Sequence, residues 1–118
     1  MMIKDSNKIA IIIGERNIYY SEMLQRITLY SHFTPQQPKE RTLIFAENRE
    51  GWIYAFYSIW ANKGIAVPVD ASSTVSDVAY IINDCHPACI WTTAQKLDVV
   101  KAAMQEAGQT VDTHLIED

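Results

Sequence analysis

The chain has 118 residues, 48% of them hydrophobic and 20% charged. That is a globular composition, one domain or part of a larger one, and it excludes a disordered chain. The net charge is -4, and Glu40, Glu47 and Glu50 interleave with Lys39, Arg41 and Arg49, so there is no basic stripe for a nucleic-acid partner.

No apolar run approaches the ~20 residues of a membrane-spanning helix, and residues 9–13 are too short for a signal-peptide core. Two cysteines without a disulfide framework fit a reducing cytoplasm. From the N-terminus, Ile9-Ala10-Ile11-Ile12-Ile13 reads as a strand. Gly14-Glu15-Arg16-Asn17 reads as a tight turn, and Ile18-Tyr19-Tyr20 as the return strand of a hairpin over residues 1–20. Ser21 is placed to cap a helix over residues 22–32, with Glu22 in its first turn and Met23, Leu24, Ile27 and Tyr30 at helical spacing. Thr34-Pro35-Gln36-Gln37-Pro38 is a loop. Residues 42–46 form a strand without alternation, as expected for burial on both faces of a parallel sheet.

Between Gly51 and Asn62 lies a helix that is apolar around almost its whole circumference. Trp52, Tyr54, Phe56, Tyr57 and Trp60 put nearly half of the chain's aromatic residues on it. Residues 65–69 give another apolar strand. Thr74 and Asp77 have capping-box spacing at the head of a helix carrying Val78, Tyr80, Ile81 and Ile82, and Pro87 ends it. Residues 88–91 are a fourth buried-type strand. Thr92 and Gln95 offer a second capping box, for a helix with Leu97, Val100 and Met104 on one face that stops at Gly108. Residues 111–116 form the last strand. Strands alternating with helices imply right-handed crossovers. The expected fold is therefore α/β and doubly wound, a mainly parallel sheet with helices on both faces, preceded by a β-hairpin.

Motif chemistry is sparse. Gly14, Gly51, Gly64 and Gly108 stand too far apart to build a phosphate-cradling loop. Cys85, His86, Cys89 and His114 do not have the spacing of a structural zinc site, and nothing marks a lowered thiol pKa for a Cys–His pair. Cys89 reads as a small core hydrophobe, His32 as a helix C-terminal residue suited to the dipole, and His114 as an exposed strand residue. Asp70 follows a strand at the carboxyl end, where α/β sheets place ligands. It either faces a substrate or accepts backbone N–H bonds in the turn before Thr74. The aromatic helix is either buried core or the lining of an apolar tunnel or partner interface. No catalytic, cofactor-binding or metal-ligating residue is assigned.

The arrangement nevertheless resembles the N-terminal segment of the adenylate-forming (AMP-binding) superfamily, especially its acyl-CoA synthetase, or long-chain fatty-acid–CoA ligase, branch. Ile18-Tyr19-Tyr20-Ser21-Glu22-Met23 resembles the family's "T-Y-x-E-L" stretch, with Tyr19 in place of the usual Thr. Asn48 resembles the Asn before the next helix. The pattern then aligns without a gap from Ala55-Phe56 to Ala66-Val67-Pro68-Val69-Asp70. Ala79-Tyr80-Ile81-Ile82-Asn83-Asp84-Cys85 and Ala88-Cys89-Ile90-Trp91-Thr92 continue it. Lys63 stands where the family's customary Gly precedes the A-V-P strand, and Gly64 comes one place later.

The resemblance implies that residues 1–118 are a partial N-terminal α/β subdomain, the first lobe of the large domain of such an enzyme. The parent would be an acid–thiol ligase that converts a carboxylic acid to an acyl-adenylate and then to a CoA thioester. It would use ATP, Mg and coenzyme A, none of them bound by a family motif within this segment. The segment alone is expected to be inactive, a truncated piece of the longer chain. Its partners would be the rest of the parent enzyme and, through the aromatic helix 51–62, a second copy in a homodimer. Two other readings stay open: an amino-acid adenylation domain fragment, and a free-standing flavodoxin-like binding or interaction module.

Overall fold

The computed structural model describes residues 9–13, 16–47 and 49–116, with side chains described from Ser21 onward. Asn48, which resembles the family's Asn before the aromatic helix, lies outside the described residues, as do Gly14 and Glu15 of the expected Gly14-to-Asn17 turn.

Strands β1 (Ile9–Ile13) and β2 (Arg16–Tyr19) pair antiparallel, with Ile13 opposite Arg16. Arg16 and Asn17 are thus strand residues, and Tyr20 opens helix α1 (Tyr20–Ser31) instead of ending the return strand. Ser21 consequently sits inside the first turn of α1 and is not its N-cap. Met23, Ile27 and Tyr30 are buried at the expected spacing.

The remaining elements are β3 (Arg41–Phe45), α2 (Glu50–Ala61), β4 (Ile65–Val69), α3 (Val75–Cys85), β5 (Cys89–Thr92), α4 (Leu97–Ala107) and β6 (Asp112–Leu115). The four later strands form one parallel sheet in the order β4-β3-β5-β6. Helices α1 and α2 pack on one face, where Ile27, Tyr30, Ile44, Tyr54, Ile59 and Trp91 share a core. Helices α3 and α4 pack on the other, around Leu43, Phe45, Val78, Ile82, Ile90 and Val100. With helices on both faces, the parallel sheet is doubly wound.

Non-alternating apolar sequence has two different outcomes here. In the central strands β3 and β5 it is buried on both faces. Strand β4 carries the same kind of sequence but lies at the sheet edge, mostly half-buried or exposed, with Pro68 exposed on it. Proline is tolerated there because an edge strand need not donate on its outer side.

The helix ends test the cap assignments individually. Thr74 and Asp77 form both halves of a capping box, and α3 ends at His86 in the left-handed region, directly before Pro87. Gly108 closes α4 with φ 70. The second box is absent. Thr92 is a paired β5 residue whose hydroxyl donates to the Phe45 carbonyl at 2.7 Å, and α4 starts only after Lys96. An inter-strand acceptor has taken the side chain that local spacing assigned to the helix.

At the end of α2 the Lys63 N–H donates to the Trp60 carbonyl and the Gly64 N–H to the Ile59 carbonyl, both at 2.9 Å. This closure holds Lys63 at φ 62, a backbone region that costs a residue with a Cβ about 1–2 kcal/mol. Lys63→Gly is expected to raise stability by about 0.5–1 kcal/mol, after allowing for the greater freedom of glycine in the unfolded chain. Urea unfolding would show a higher midpoint at unchanged slope.

Candidate functional site

The connection from β3 through α2 runs to β4 on one side, while that from β5 through α4 runs to β6 on the other. The carboxyl ends of the adjacent strands β3 and β5 therefore flank the topological switch point, the crevice where open α/β sheets receive ligands.

Ala46, Glu47 and Arg49 follow β3 into this crevice; Thr93 and Lys96 follow β5. The Glu47 carboxylate lies 3.5 Å from the Arg49 guanidinium and 3.6 Å from the Lys96 ammonium, so a single carboxylate ties the two loops together. Lys96 also stands 5.9 Å over the Phe45 ring, a distance at which a cation is attracted to the aromatic face. Its N–H donates to the Thr93 carbonyl at 3.1 Å, which places both residues in one turn. The Thr93 side chain is buried, and its hydroxyl has no hydrogen-bond partner among the described residues. Arg49 is the N-cap residue of α2 and provides no side-chain cap.

None of these residues stood out in the sequence as a site, because Glu47 and Lys96 meet only once the strand order is set. The available signal was a charged residue just beyond each of two buried strands. Asp70, the carboxylate the sequence did single out, is exposed on the loop after edge strand β4, away from the switch point. The backbone N–H and hydroxyl of Ser72 both donate to its Oδ1 at 2.8 Å. These bonds, the backbone one first, hold its carboxyl below the usual carboxylate range. Its role is the turn.

The thiol and imidazole candidates are dispersed. Cys89 is buried, its Sγ 3.9 Å from the Phe33 carbonyl oxygen, and burial together with nearby Asp112 pushes its thiol up to about 12. Burial also raises the half-buried Cys85 thiol, against the pull of Arg41. Among the described residues no group of three or more His, Cys, Asp or Glu is placed to hold a metal. His32 lies exposed just past the end of α1. His114 is not the exposed residue the sequence implied: it is half-buried, its ring 5.5 Å from Phe33 and 5.3 Å from Trp91.

Because only the thiolate is nucleophilic, iodoacetamide at pH 8 is expected to label Cys85 first and Cys89 only on unfolding, as peptide mass spectrometry would show. The raised Cys89 value also sets a sign: the fold disfavours the thiolate, so its contribution is complete below pH 9 and is lost as pH rises towards 12.

Helix α2 divides its aromatic residues between core and surface. Tyr54 is fully buried, its hydroxyl donating to Glu50 Oε2 at 2.6 Å. Trp52 and Phe56 are half-buried and stacked at 5.6 Å, Tyr57 meets Phe56 edge-on at 5.5 Å, and Trp60 is half exposed. On the same sheet face a groove of 370 Å³ opens between α1 and β6, lined by Arg26, Leu29, Tyr30, Phe33, Trp91 and His114, with Leu115 at its edge.

The ATP-bound MatB of Rhodopseudomonas palustris superposes with a TM-score of 0.81 at 21% identity, over 97% of this chain and 24% of that one. A benzoate CoA ligase from Burkholderia xenovorans LB400 superposes at 0.77 and 19% identity, over 91% and 22%. In sequence, the hybrid PKS-NRPS synthetase thnA of Trichoderma harzianum is 23% identical over 118 residues, 97% of this chain and 3% of its own length. The chain thus spans about a quarter or less of each of these relatives. Residues 3–118 match the family model described as AMP-binding enzyme, nearly end to end. The chain belongs to the AMP-binding enzyme family.

Proposed function

We propose that the chain is the N-terminal lobe of an ATP-dependent, AMP-forming acyl-CoA ligase acting on a carboxylic acid of the fatty-acid class. The observation that carries this reading is the family match over residues 3–118, together with the superposition on ligases of which the chain spans under a quarter. In the reaction a carboxylate oxygen attacks the α-phosphorus of Mg-ATP and pyrophosphate leaves. The thiol of coenzyme A then attacks the acyl carbonyl and AMP departs. In this reading the nucleotide loop and the catalytic groups belong to the remainder of the parent, which works in the cytoplasm.

That remainder is also the first partner. Leu29, Phe33 and Leu115, among the exposed large apolar residues, all border the groove beside the open edge of β6, and covering them would remove an apolar patch from water. The half-exposed aromatic side of α2, within residues 51–62, is the surface we assign to a homodimer.

The likeness to a hybrid PKS-NRPS synthetase favours a second reading, an amino-acid adenylation domain. ATP–pyrophosphate exchange on the parent polypeptide separates the two. Exchange with fatty acids, followed by CoA thioester formation, supports the ligase; exchange with amino acids alone supports the adenylation domain. No exchange with either class of acid would overturn both.

A further inference from the structure

We propose that the 118-residue chain pairs with a second copy of itself edge to edge, β6 against β6, antiparallel and with its two-fold axis at Thr113. The pairing is distinct from the α2 surface assigned above and does not depend on which acid the parent activates. An edge that holds a second copy is closed to the remainder of the parent, so the dimer belongs to the chain free of that remainder.

The four-stranded sheet ends in β4 on one side and β6 on the other, and the two edges differ. Ile65 donates its N–H to the Glu40 carbonyl at 2.8 Å, on the β3 side. Backbone groups of successive strand residues point to opposite sides, so residue 68 faces outward from β4. Pro68 has no N–H to offer there, which blunts that edge against pairing. On the other side the Ile116 N–H donates to the Thr92 carbonyl at 2.7 Å. By the same alternation Thr113 and Leu115 turn their N–H and C=O groups away from β5. Strand β6 carries neither proline nor lysine, so its edge is ready to pair.

The independent observation is that Val111-Asp112-Thr113-His114-Leu115 is chemically self-complementary about its centre, as an isologous two-fold interface requires. In this register Thr113 meets the partner's Thr113, Asp112 meets the partner's His114, and Val111 meets the partner's Leu115. Threonine pairs, opposite charges and apolar pairs are the favourable cross-strand neighbours. Thr113 exchanges both backbone bonds across the axis, and the Leu115 N–H reaches the partner's Val111 carbonyl. The Thr113 hydroxyl, 3.0 Å from that carbonyl in its own chain, leaves it a second lone pair. The Val111 N–H, 3.3 Å from Met104 Sδ, is not required. Asp112 and His114 share the Trp91 face by alternation, and as a non-hydrogen-bonded pair they take the closer side-chain separation. An imidazole N–H donates to a carboxylate in either protonation state.

The surroundings carry the same polarity. A cavity of 340 Å³ at the Asp112 end is lined by Glu40 and Asp112 with no basic residue. The groove of 370 Å³ at the His114 end is lined by Arg26 and His114 with no acidic one, Glu22 one turn before Arg26 lying outside that lining. A two-fold axis sets each acidic end against a basic one. Sliding the register by two residues would instead oppose His114 to the partner's His114. Leu29 and Phe33, 52% and 53% exposed beside β6, are covered as the second copy arrives on their face.

The test is sedimentation equilibrium of the 118-residue chain from about 10 μM to about 1 mM, in a Trp60→Glu background that removes association through α2. The expected result is a monomer–dimer equilibrium with a midpoint of about 0.1 mM, in keeping with an interface at the small end of the size range. Amide hydrogen exchange at Thr113 and Leu115 should slow as the dimer fills, while that of Ala66 on the opposite edge should not. Asp112→Arg should weaken dimerisation about tenfold or more, because two favourable pairs per dimer become repulsive. His114→Asp should do the same, and mixing the two variants should restore dimers, since each then meets an opposite charge across the axis. His114→Asp alters a half-buried ring, so thermal unfolding checks its fold; the exchange and Asp112→Arg results stand without it. A chain still monomeric at about 1 mM leaves the edge to the remainder of the parent and overturns the proposal. A dimer that Asp112→Arg leaves unchanged overturns it equally.

Discussion

Trp91→Ala is expected to cost about 3–5 kcal/mol of folding stability, as emptying a large aromatic site in a core does. Trp91 sits on central strand β5, 3% exposed, stacked on Tyr30 with centroids 4.6 Å apart and planes within 16°. Its indole N–H donates to Thr34 Oγ1 at 3.2 Å, fixing the loop after α1 to the middle of the sheet. Alanine would remove the stack, leave a cavity beneath α1 and take away that donor. Domains of this size are stable by about 5–15 kcal/mol, so the variant should be partly unfolded near 37 °C. Trp91→Phe keeps most of the volume but loses the hydrogen bond, and should cost about 1–2 kcal/mol. Urea titrations of the three proteins would show this order. A loss below 1 kcal/mol for alanine would mean that the site collapses around the gap.

Gly64→Ala is expected to destabilise by about 1–3 kcal/mol, through overpacking against groups that cannot retreat. A Cβ at this position would lie 3.0 Å from the Glu40 carbonyl oxygen, 3.1 Å from Ile59 Cγ2 and 3.3 Å from the Ile59 carbonyl oxygen. Both carbonyls are anchored, Glu40 by the N–H of Ile65 at 2.8 Å and Ile59 by the N–H of Gly64 itself at 2.9 Å. Adjacent positions therefore respond with opposite signs: glycine helps at 63, where the backbone is left-handed, and is required at 64, where space is lacking. Exchanging the two residues, Lys63→Gly with Gly64→Lys, restores the family's customary glycine position but should leave the chain less stable than it is now. Thermal unfolding of the single and double variants checks the sign at each position.

The order of elements was legible because β1, β3, β4 and β5 are apolar runs and α1, α3 and α4 each carry an apolar face at helical spacing. Thr74 and Gly108 were legible as caps because local geometry decides both: Thr74 closes its box with Asp77, and Gly108 takes a left-handed φ of 70. Thr92 misled for the opposite reason: the Phe45 carbonyl, brought alongside by β-pairing, took its hydroxyl. The candidate site was the least legible part. Following a strand was the criterion that selected Asp70, but β4 lands at the sheet edge, and the switch point falls to Glu47 and Lys96 instead. Strand order is a tertiary property, decided by which face each crossover helix covers, and no local pattern encodes it. His114 illustrates the same limit, since its burial comes from Phe33 and Trp91 on other elements.

Strand β3 is hydrogen-bonded on both sides, yet its two neighbours reach it at different moments. During synthesis β4 becomes available once α2 is complete, whereas β5 emerges only after α3. Every pairing in the four-stranded sheet is parallel and closes through a crossover, so no hairpin hastens it, and non-local pairing of this kind forms slowly. In the interval one edge of β3, with Leu43, Ile44 and Phe45 beside it, is open and ready to pair with another nascent copy. Slowing elongation between the codons for β4 and β5 should therefore increase co-translational aggregation, and the same pause placed after β5 should not.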